Sequence, residues 1–255
     1  MTADPQTASG TGVDELAALI RASERTVALT GAGISVPSGI PDFRTPGKGL
    51  WAKVDPMSVA TIDAFHRDTK RFWDFYRPRV QLLREKRPNP AHETLAELER
   101  RGRLEAVITQ NIDRLHRMAG SERVVEVHGS IATASCTSCE ATYSLTDVES
   151  LFGRDGIATC GSCAGKVKPD VVLFGEFLPT EALAAAERLC GTADLLLCVG
   201  SSLEVYPVAG LPELTLGHGG RIAIVTRSAT PYDSEAAVRL DGDVVDDLTA
   251  VLDAF

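Results

Sequence analysis

Four of the chain's six cysteines stand as two Cys-x2-Cys pairs, Cys136 with Cys139 and Cys160 with Cys163, set 20 residues apart. Each pair puts two thiolates on one turn, and two such turns supply the four soft ligands that a tetrahedral Zn²⁺ takes. Gly161, beside Cys160, suits a tight turn. A site filled entirely by sulfur is structural rather than catalytic, and it holds together a segment that cannot build its own core. The competing uses of the pattern are redox pairs, unrelated buried thiols and a nucleic-acid-binding ribbon. Composition opposes the ribbon: residues 136–163 hold one Arg and several acids, and the chain carries 35 acidic against 26 basic residues, net −9. An acidic body suits basic partners such as Lys-rich peptides better than nucleic acid. Cys190 and Cys198 lie in apolar stretches and read as buried free thiols.

Around the quartet, strand and helix signals alternate. Short apolar runs at 26–30, 106–109, 124–127, 171–174, 195–199 and 222–226 read as buried strands of a parallel sheet, because both faces are apolar. Helical patterns occupy 13–24, 91–101, 181–189 and 244–254, and Asn89-Pro90 marks a helix start. The alternation predicts a doubly wound parallel α/β sheet. Two stretches break the rhythm: 47–86 is aromatic-rich and helical, and 131–168 carries the cysteines. They read as insertions that form a smaller domain, leaving 13–46, 87–130 and 169–255 to the sheet domain. Residues 1–12 read as a disordered lead without signal-peptide features, and no apolar run reaches the ~18 residues of a membrane span. With reduced cysteines, this predicts a cytoplasmic protein.

Three strand ends and one loop carry the polar chemistry. Residues 26–30 lead into Gly31-Ala32-Gly33, where glycine lets backbone approach a pyrophosphate. The match to GxGxxG is imperfect, since Val36 stands where the third glycine would be, and a ligand-free turn is the alternative. The loop that follows places Asp42 and Arg44 around Phe43. The run 106–109 leads to Gln110, Asn111, Asp113 and His116, 124–127 to His128-Gly129, and 195–199 to Gly200-Ser201-Ser202. Ligands of doubly wound sheets sit beyond the carboxyl ends of the strands. His128 is the natural proton acceptor there. For Gln110, Asn111 and Asp113 the alternative is helix capping.

GAGISVPSGIPDFR, TQNIDRLH, VVEVHGS, the cysteine quartet, KPDVVLFGE and GSSLEVYP follow one another over nearly the whole chain. This ordered set resembles the sirtuins, NAD-dependent protein-lysine deacylases, here of bacterial type. The resemblance implies a Rossmann-like domain with a small zinc-binding and helical domain, and NAD in the cleft between them as a co-substrate. Gly31, Ala32, Gly33 and Ser35 would hold the phosphates, and Asp42, Phe43 and Arg44 would belong to the cofactor loop. Gln110 would contact the nicotinamide ribose, and Asn111, Ile112 and Asp113 would line the nicotinamide pocket. Gly200, Ser201, Ser202, Thr226, Arg227 and Val244 would serve the phosphate and adenosine end. Val172, Phe174, Gly175 and Glu176 would take the substrate backbone. Nicotinamide would leave as the acyl oxygen attacks, with Asn111 in the catalytic set, and His128 would then deprotonate a ribose hydroxyl. Water would complete the reaction to free lysine and O-acyl-ADP-ribose. The expected partner is an acyl-lysine protein or peptide, with neither nucleic acid nor membrane; oligomeric state is unreadable.

Two departures bear on this. Thr226 stands where many relatives carry Asn, which shortens an adenosine-ribose contact. Tyr76-x2-Arg79 resembles the pair by which the succinyl-specific branch recognises acidic acyl groups, although the TPGKGLW loop lacks that branch's Ala-rich character. Pro78 inside this stretch predicts a helix start or kink. Deacetylation and desuccinylation both remain open. The other classes are a mono-ADP-ribosyltransferase on the same scaffold and a non-catalytic NAD or ADP-ribose binder.

Overall fold

The computed structural model describes residues 5–42, 49 and 54–255. Strands β1 (Thr26–Thr30), β2 (Ala106–Thr109), β3 (Val124–Glu126), β7 (Leu195–Val199), β8 (Arg221–Val225) and β9 (Ala236–Leu240) form one parallel sheet. Its order is β3-β2-β1-β7-β8-β9. In chain order the helices are α1 (Pro5–Ala22), α2 (Pro56–Val59), α3 (Ile62–Arg67), α4 (Thr69–Glu85), α5 (Pro90–Arg100) and α6 (Leu115–Met118). They continue with α7 (Leu145–Val148), α8 (Thr180–Cys190), α9 (Leu211–Gly217) and α10 (Val244–Asp253).

The central strands are buried on both sides because each face meets helices. Ala28, Leu195 and Leu197 pack with Leu16 and Ile20 of α1, Leu95 of α5, and Leu248 and Val251 of α10. Val27, Leu29, Leu196 and Cys198 face the other way, onto Ala186 and Leu189 of α8 and Leu211 of α9. Asn89 starts α5 with a capping box, its side chain accepting from Ala91 N while His92 takes the Asn89 N–H. The strand order, not the strand direction, reverses between β1 and β7, so their carboxyl ends open a crevice where such folds bind ligands.

The smaller unit is antiparallel, with strand order β5-β4-β6 from β4 (Gly129–Cys136), β5 (Thr142–Ser144) and β6 (Val167–Val171). Phe65, Phe72, Trp73 and Val80 of the helical insertion share its core with Ile131, Leu145, Val148 and Val167. Trp73 Nε1 donates to Val167 O at 3.2 Å, and Arg77 pairs with Glu149 at 2.7 Å.

Four expectations change. Residues 171–174 are not a strand of the parallel sheet. The strand ends at Val171 and belongs to the small sheet, and its burial alternates along 167–171 because only one face is covered. Strand β9 escaped notice because Arg239 and partial exposure interrupt its apolar pattern at the sheet edge. Helix α1 starts at Pro5, so residues 5–12 continue the first helix rather than a disordered lead; Gly12 there backs onto Leu240 of β9. Helix α4 passes through Pro78 without ending, since Phe72, Trp73 and Val80 anchor it on both sides.

Candidate active site

The glycine loop and the turn after β7 are locked together by backbone. Gly31 N donates to Val199 O at 3.0 Å and Gly33 N to Gly200 O at 2.8 Å. A Cβ on Gly33 would sit 2.8 Å from Gly200 Cα. Gly200 has φ +60°, and a Cβ there would fall 2.3 Å from Ile34 N. Only glycine permits this approach, so the strand ends present bare backbone to the crevice. A 3-10 turn, Ala32–Ser38, follows.

The end of β2 turns its polar side chains into the same space. Ser35 Oγ donates to Asp113 Oδ2 at 2.6 Å, and Asn111 Nδ2 donates to Gly31 O at 3.0 Å and to Ser35 Oγ at 3.1 Å. Asp113 Oδ1 accepts from Leu115 N at 2.9 Å, a local cap as well as a site contact. Burial raises the Asp113 carboxyl above its ordinary value, against the lowering effect of the Ser35 bond. Gln110 Nε2 donates to Ser201 Oγ at 2.9 Å.

His128 sits just past β3. Its Nδ1 lies 3.0 Å from Gln110 O. A carbonyl only accepts, so Nδ1 carries the proton and Nε2 keeps its lone pair. Burial lowers the His128 pKa, and the carbonyl bond opposes this. The ring is therefore neutral at pH 7 and ready to take a proton. Gly129 has φ +74° and lies so close to β6 that a Cβ would meet Asp170 O at 2.1 Å. His128 O accepts from Val172 N at 2.9 Å, which ties the base to the same segment. His116 turns under the sheet instead: Thr30 Oγ1 donates to Thr109 Oγ1 at 2.8 Å, so it accepts from His116 Nε2 at 2.9 Å. His92 lies beside it, its pKa pushed down to about 4 by burial.

These groups line one cleft of about 940 Å³ between the two sheets' domains. Gly31, Ala32, Gly33, Ser35, Asp42, Gln110, Asn111, Ile112, Asp113, His128, Gly200, Ser201, Ser202 and Thr226 are on its walls. So are Tyr76, Arg79, Val172, Phe174, Gly175 and Glu176. Phe43 and Arg44 lie outside the described residues. Arg227 and Val244 are not among the lining: Arg227 is tied to Gly242 O at 3.1 Å and Asp243 at 2.9 Å, and Val244 packs on the helix-covered core. Ser228, Ala229, Val205 and Tyr206 line the cleft unforeseen. For Val205 and Tyr206 the sequence signal is the later half of GSSLEVYP.

Part of the Phe174–Glu176 segment is engaged within the protein. Phe174 N and O are spent on Ala60 O at 2.9 Å and Ile62 N at 3.1 Å. The Glu176 carboxylate accepts from Leu173 N at 2.8 Å and Lys168 Nζ at 3.0 Å. These bonds brace one bank of the cleft.

Tyr76 stacks on Phe72 with ring centroids 4.3 Å apart, and burial raises its hydroxyl pKa. Arg79 lies over the Phe75 ring and donates to Phe75 O. Neighbouring Arg77 has Glu149, but Arg79 has no carboxylate partner among the described residues. Burial lowers its pKa.

The four cysteine sulfurs all lie within 4.8 Å of one another, with Cys136 to Cys163 at 3.5 Å and Cys139 to Cys160 at 3.6 Å. Zn–S bonds of about 2.3 Å put tetrahedral sulfur edges near ~3.8 Å, so the quartet fits zinc. The two turns repeat one geometry: Cys136 N to Ala141 O and Cys160 N to Gly165 O, at 2.9 and 2.8 Å. Ser138 N and Ser162 N each point at a cysteine sulfur at 3.4 Å.

A model of the Sir2 family matches residues 31–207. An NAD-dependent protein deacetylase of Thermotoga maritima is 43% identical over 228 residues, covering 89% of this chain and 92% of that protein. A solved Sir2 variant with deacetylated p53 peptide and 3′-O-acetyl ADP-ribose superposes with TM-score 0.90 and 42% identity, covering 94% of this chain and 97% of the other. A Sir2 protein bound to a propionylated peptide superposes with TM-score 0.87 and 40% identity over the same shares.

Proposed function

We propose, since the chain belongs to the Sir2 family, that it is an NAD-dependent protein-lysine deacylase that removes acetyl groups and also acidic acyl groups such as succinyl. The observation that carries the reading is His128, its Nδ1 held by Gln110 O so that Nε2 is left to accept, in a cleft that the glycine-backbone cradle of β1 and β7 also lines. The cradle fits the diphosphate of NAD: glycine backbone packed too closely to carry side chains, at the carboxyl ends of β1 and β7. When bound, NAD supplies the electrophilic ribose carbon. Gln110, Ser201 and Ser202 supply the polar contacts that orient the riboses. Asn111 and Asp113, cross-braced through Ser35, hold the carboxamide end. His128 takes the proton of a ribose hydroxyl at Nε2, and the buried cleft keeps water from competing. The relative seen with an acetyl ADP-ribose and deacetylated peptide supports this product pair.

Breadth of acyl group rests on Tyr76 and Arg79. A guanidinium with no carboxylate partner among the described residues, beside a phenol in a mostly apolar wall, is a fork for a carboxylate. The relative with a propionylated peptide supports acyl groups larger than acetyl. The quartet is read as a structural zinc site, and four unbridged thiols support a reducing, cytoplasmic setting. No helix among the described residues is long and apolar enough to cross a membrane.

The test is one mass-spectrometric assay with NAD and acetyl- and succinyl-lysine versions of one peptide. Release of free lysine and O-acyl-ADP-ribose from both supports the reading. Acetyl turnover alone removes the carboxylate fork, and ADP-ribose on protein without freed lysine replaces deacylation with transfer.

A further inference from the structure

The cleft mouth carries an unusual cost. The exposed aromatic rings among the described residues, Phe174, Phe177 and Tyr206, are 46%, 97% and 71% exposed, and all three line this one cleft. The larger rings elsewhere, Phe65, Phe72 and Trp73, are buried. Three solvent-facing rings on the walls of one cleft mark a binding surface.

The bank that carries Phe174 and Phe177 is braced. Phe174 is pinned by two backbone bonds to the helical insertion, and the chain then turns at Gly175, with φ +90°. Glu176 is fixed by Leu173 N and Lys168. Phe177 therefore extends into solvent from a braced turn, while Tyr206 stands on the opposite strand-end loop after β7. A ligand whose acyl-lysine reaches His128 between these banks lays its neighbouring residues against the rings.

We propose that Phe177, with Phe174 and Tyr206, is a specificity-determining element that selects protein substrates bearing an apolar side chain next to the acyl-lysine. This rests on the deacylase reading above. The rings admit a second chemistry, a flanking Lys or Arg, which the chain's net charge of −9 also favours. Magnitude decides between them. A cation over an exposed Phe gains about two- to fivefold in affinity, whereas covering a leucine-sized side chain against Phe177 gains about tenfold or more. On the Phe177 bank the Glu176 carboxylate is already paired with Lys168.

The test uses acetyl-lysine peptides identical except for Leu, Ala or Lys beside the modified lysine, on each side in turn. Dissociation constants come from fluorescence anisotropy, and KM and kcat from turnover with NAD. Wild-type protein is expected to prefer Leu to Ala by about tenfold, through Kd and KM rather than kcat. Phe177→Ser is expected to shrink that ratio below about twofold, and Phe177→Leu to retain most of it. Equal binding of Leu and Ala peptides, a Lys peptide that binds best, or a preference that survives Phe177→Ser would each overturn the proposal. The two readings fail separately. Leu-selective binding without freed lysine removes the deacylase reading alone, and unselective deacylation removes only this one.

Discussion

Replacing Gly129 with alanine probes how firmly the base is held. Gly129 has φ +74°, and a Cβ there falls 2.1 Å from Asp170 O, with Val171 Cα at 3.3 Å. The obstacle is the backbone of β6, which cannot rotate aside, so β4 and β6 must part by roughly an ångström. The left-handed backbone costs a non-glycine residue about 1–2 kcal/mol. Adding the strained strand contact brings the total to about 3 kcal/mol or more. At about 2–4 °C per kcal/mol for a chain of this size, Tm should fall by roughly 6–12 °C. The same displacement pulls on Val172 N to His128 O, a 2.9 Å bond next to the catalytic ring. A misplacement of about 1 Å costs on the order of 10²-fold in rate. The assay is thermal unfolding with turnover measured well below the variant's Tm, alongside ADP-ribose binding, which should persist because the β1–β7 cradle is untouched. A Tm within about 2 °C of wild type together with turnover within about threefold would refute the argument, since the backbone would then have absorbed the methyl group.

Three further outcomes are expected. Because burial lowers the His128 pKa, kcat/KM should stay level through pH 7 and fall only as acid protonates the ring below its ordinary value near 6.5; an acid limb centred above 7 would contradict the neutral base. Stripping metal with a chelator should expose four reactive thiols, lower Tm and abolish turnover although the quartet touches no reactant, and a metal-free, folded, fully active protein would sink the structural zinc reading. Arg79→Gln should cost succinyl-peptide turnover about 10–100-fold, the worth of a charged hydrogen bond, with a far smaller change on acetyl peptide; equal losses on both would make Arg79 a packing residue.

Much of this was legible from residue type alone. The runs at 26–30, 106–109 and 195–199 are apolar on both faces and could only be buried strands, and glycines followed by polar residues marked their carboxyl ends as a site. The cysteine spacing located the small domain. Harder to read were features set by partners far along the chain. Whether 171–174 joins the large or the small sheet depends on β4, and β9 is an edge strand whose Arg239 breaks its pattern. Phe174's backbone looked available until Ala60 and Ile62 claimed it. Ser35 and Asp113, 78 residues apart, meet only because the turn after β1 folds over the end of β2.

Gln110 divides its labour between two kinds of atom. Its carbonyl oxygen, part of the main chain, fixes which nitrogen of His128 bears hydrogen, while its side-chain amide rests on Ser201 across β1. Under the proposed function, a ribose reaching Gln110 would exchange the amide's bond to Ser201 for one to itself. The main-chain carbonyl that orients His128 takes no part in that exchange. Recognition at this residue would then be adjustable while the proton acceptor beside it kept its tautomer.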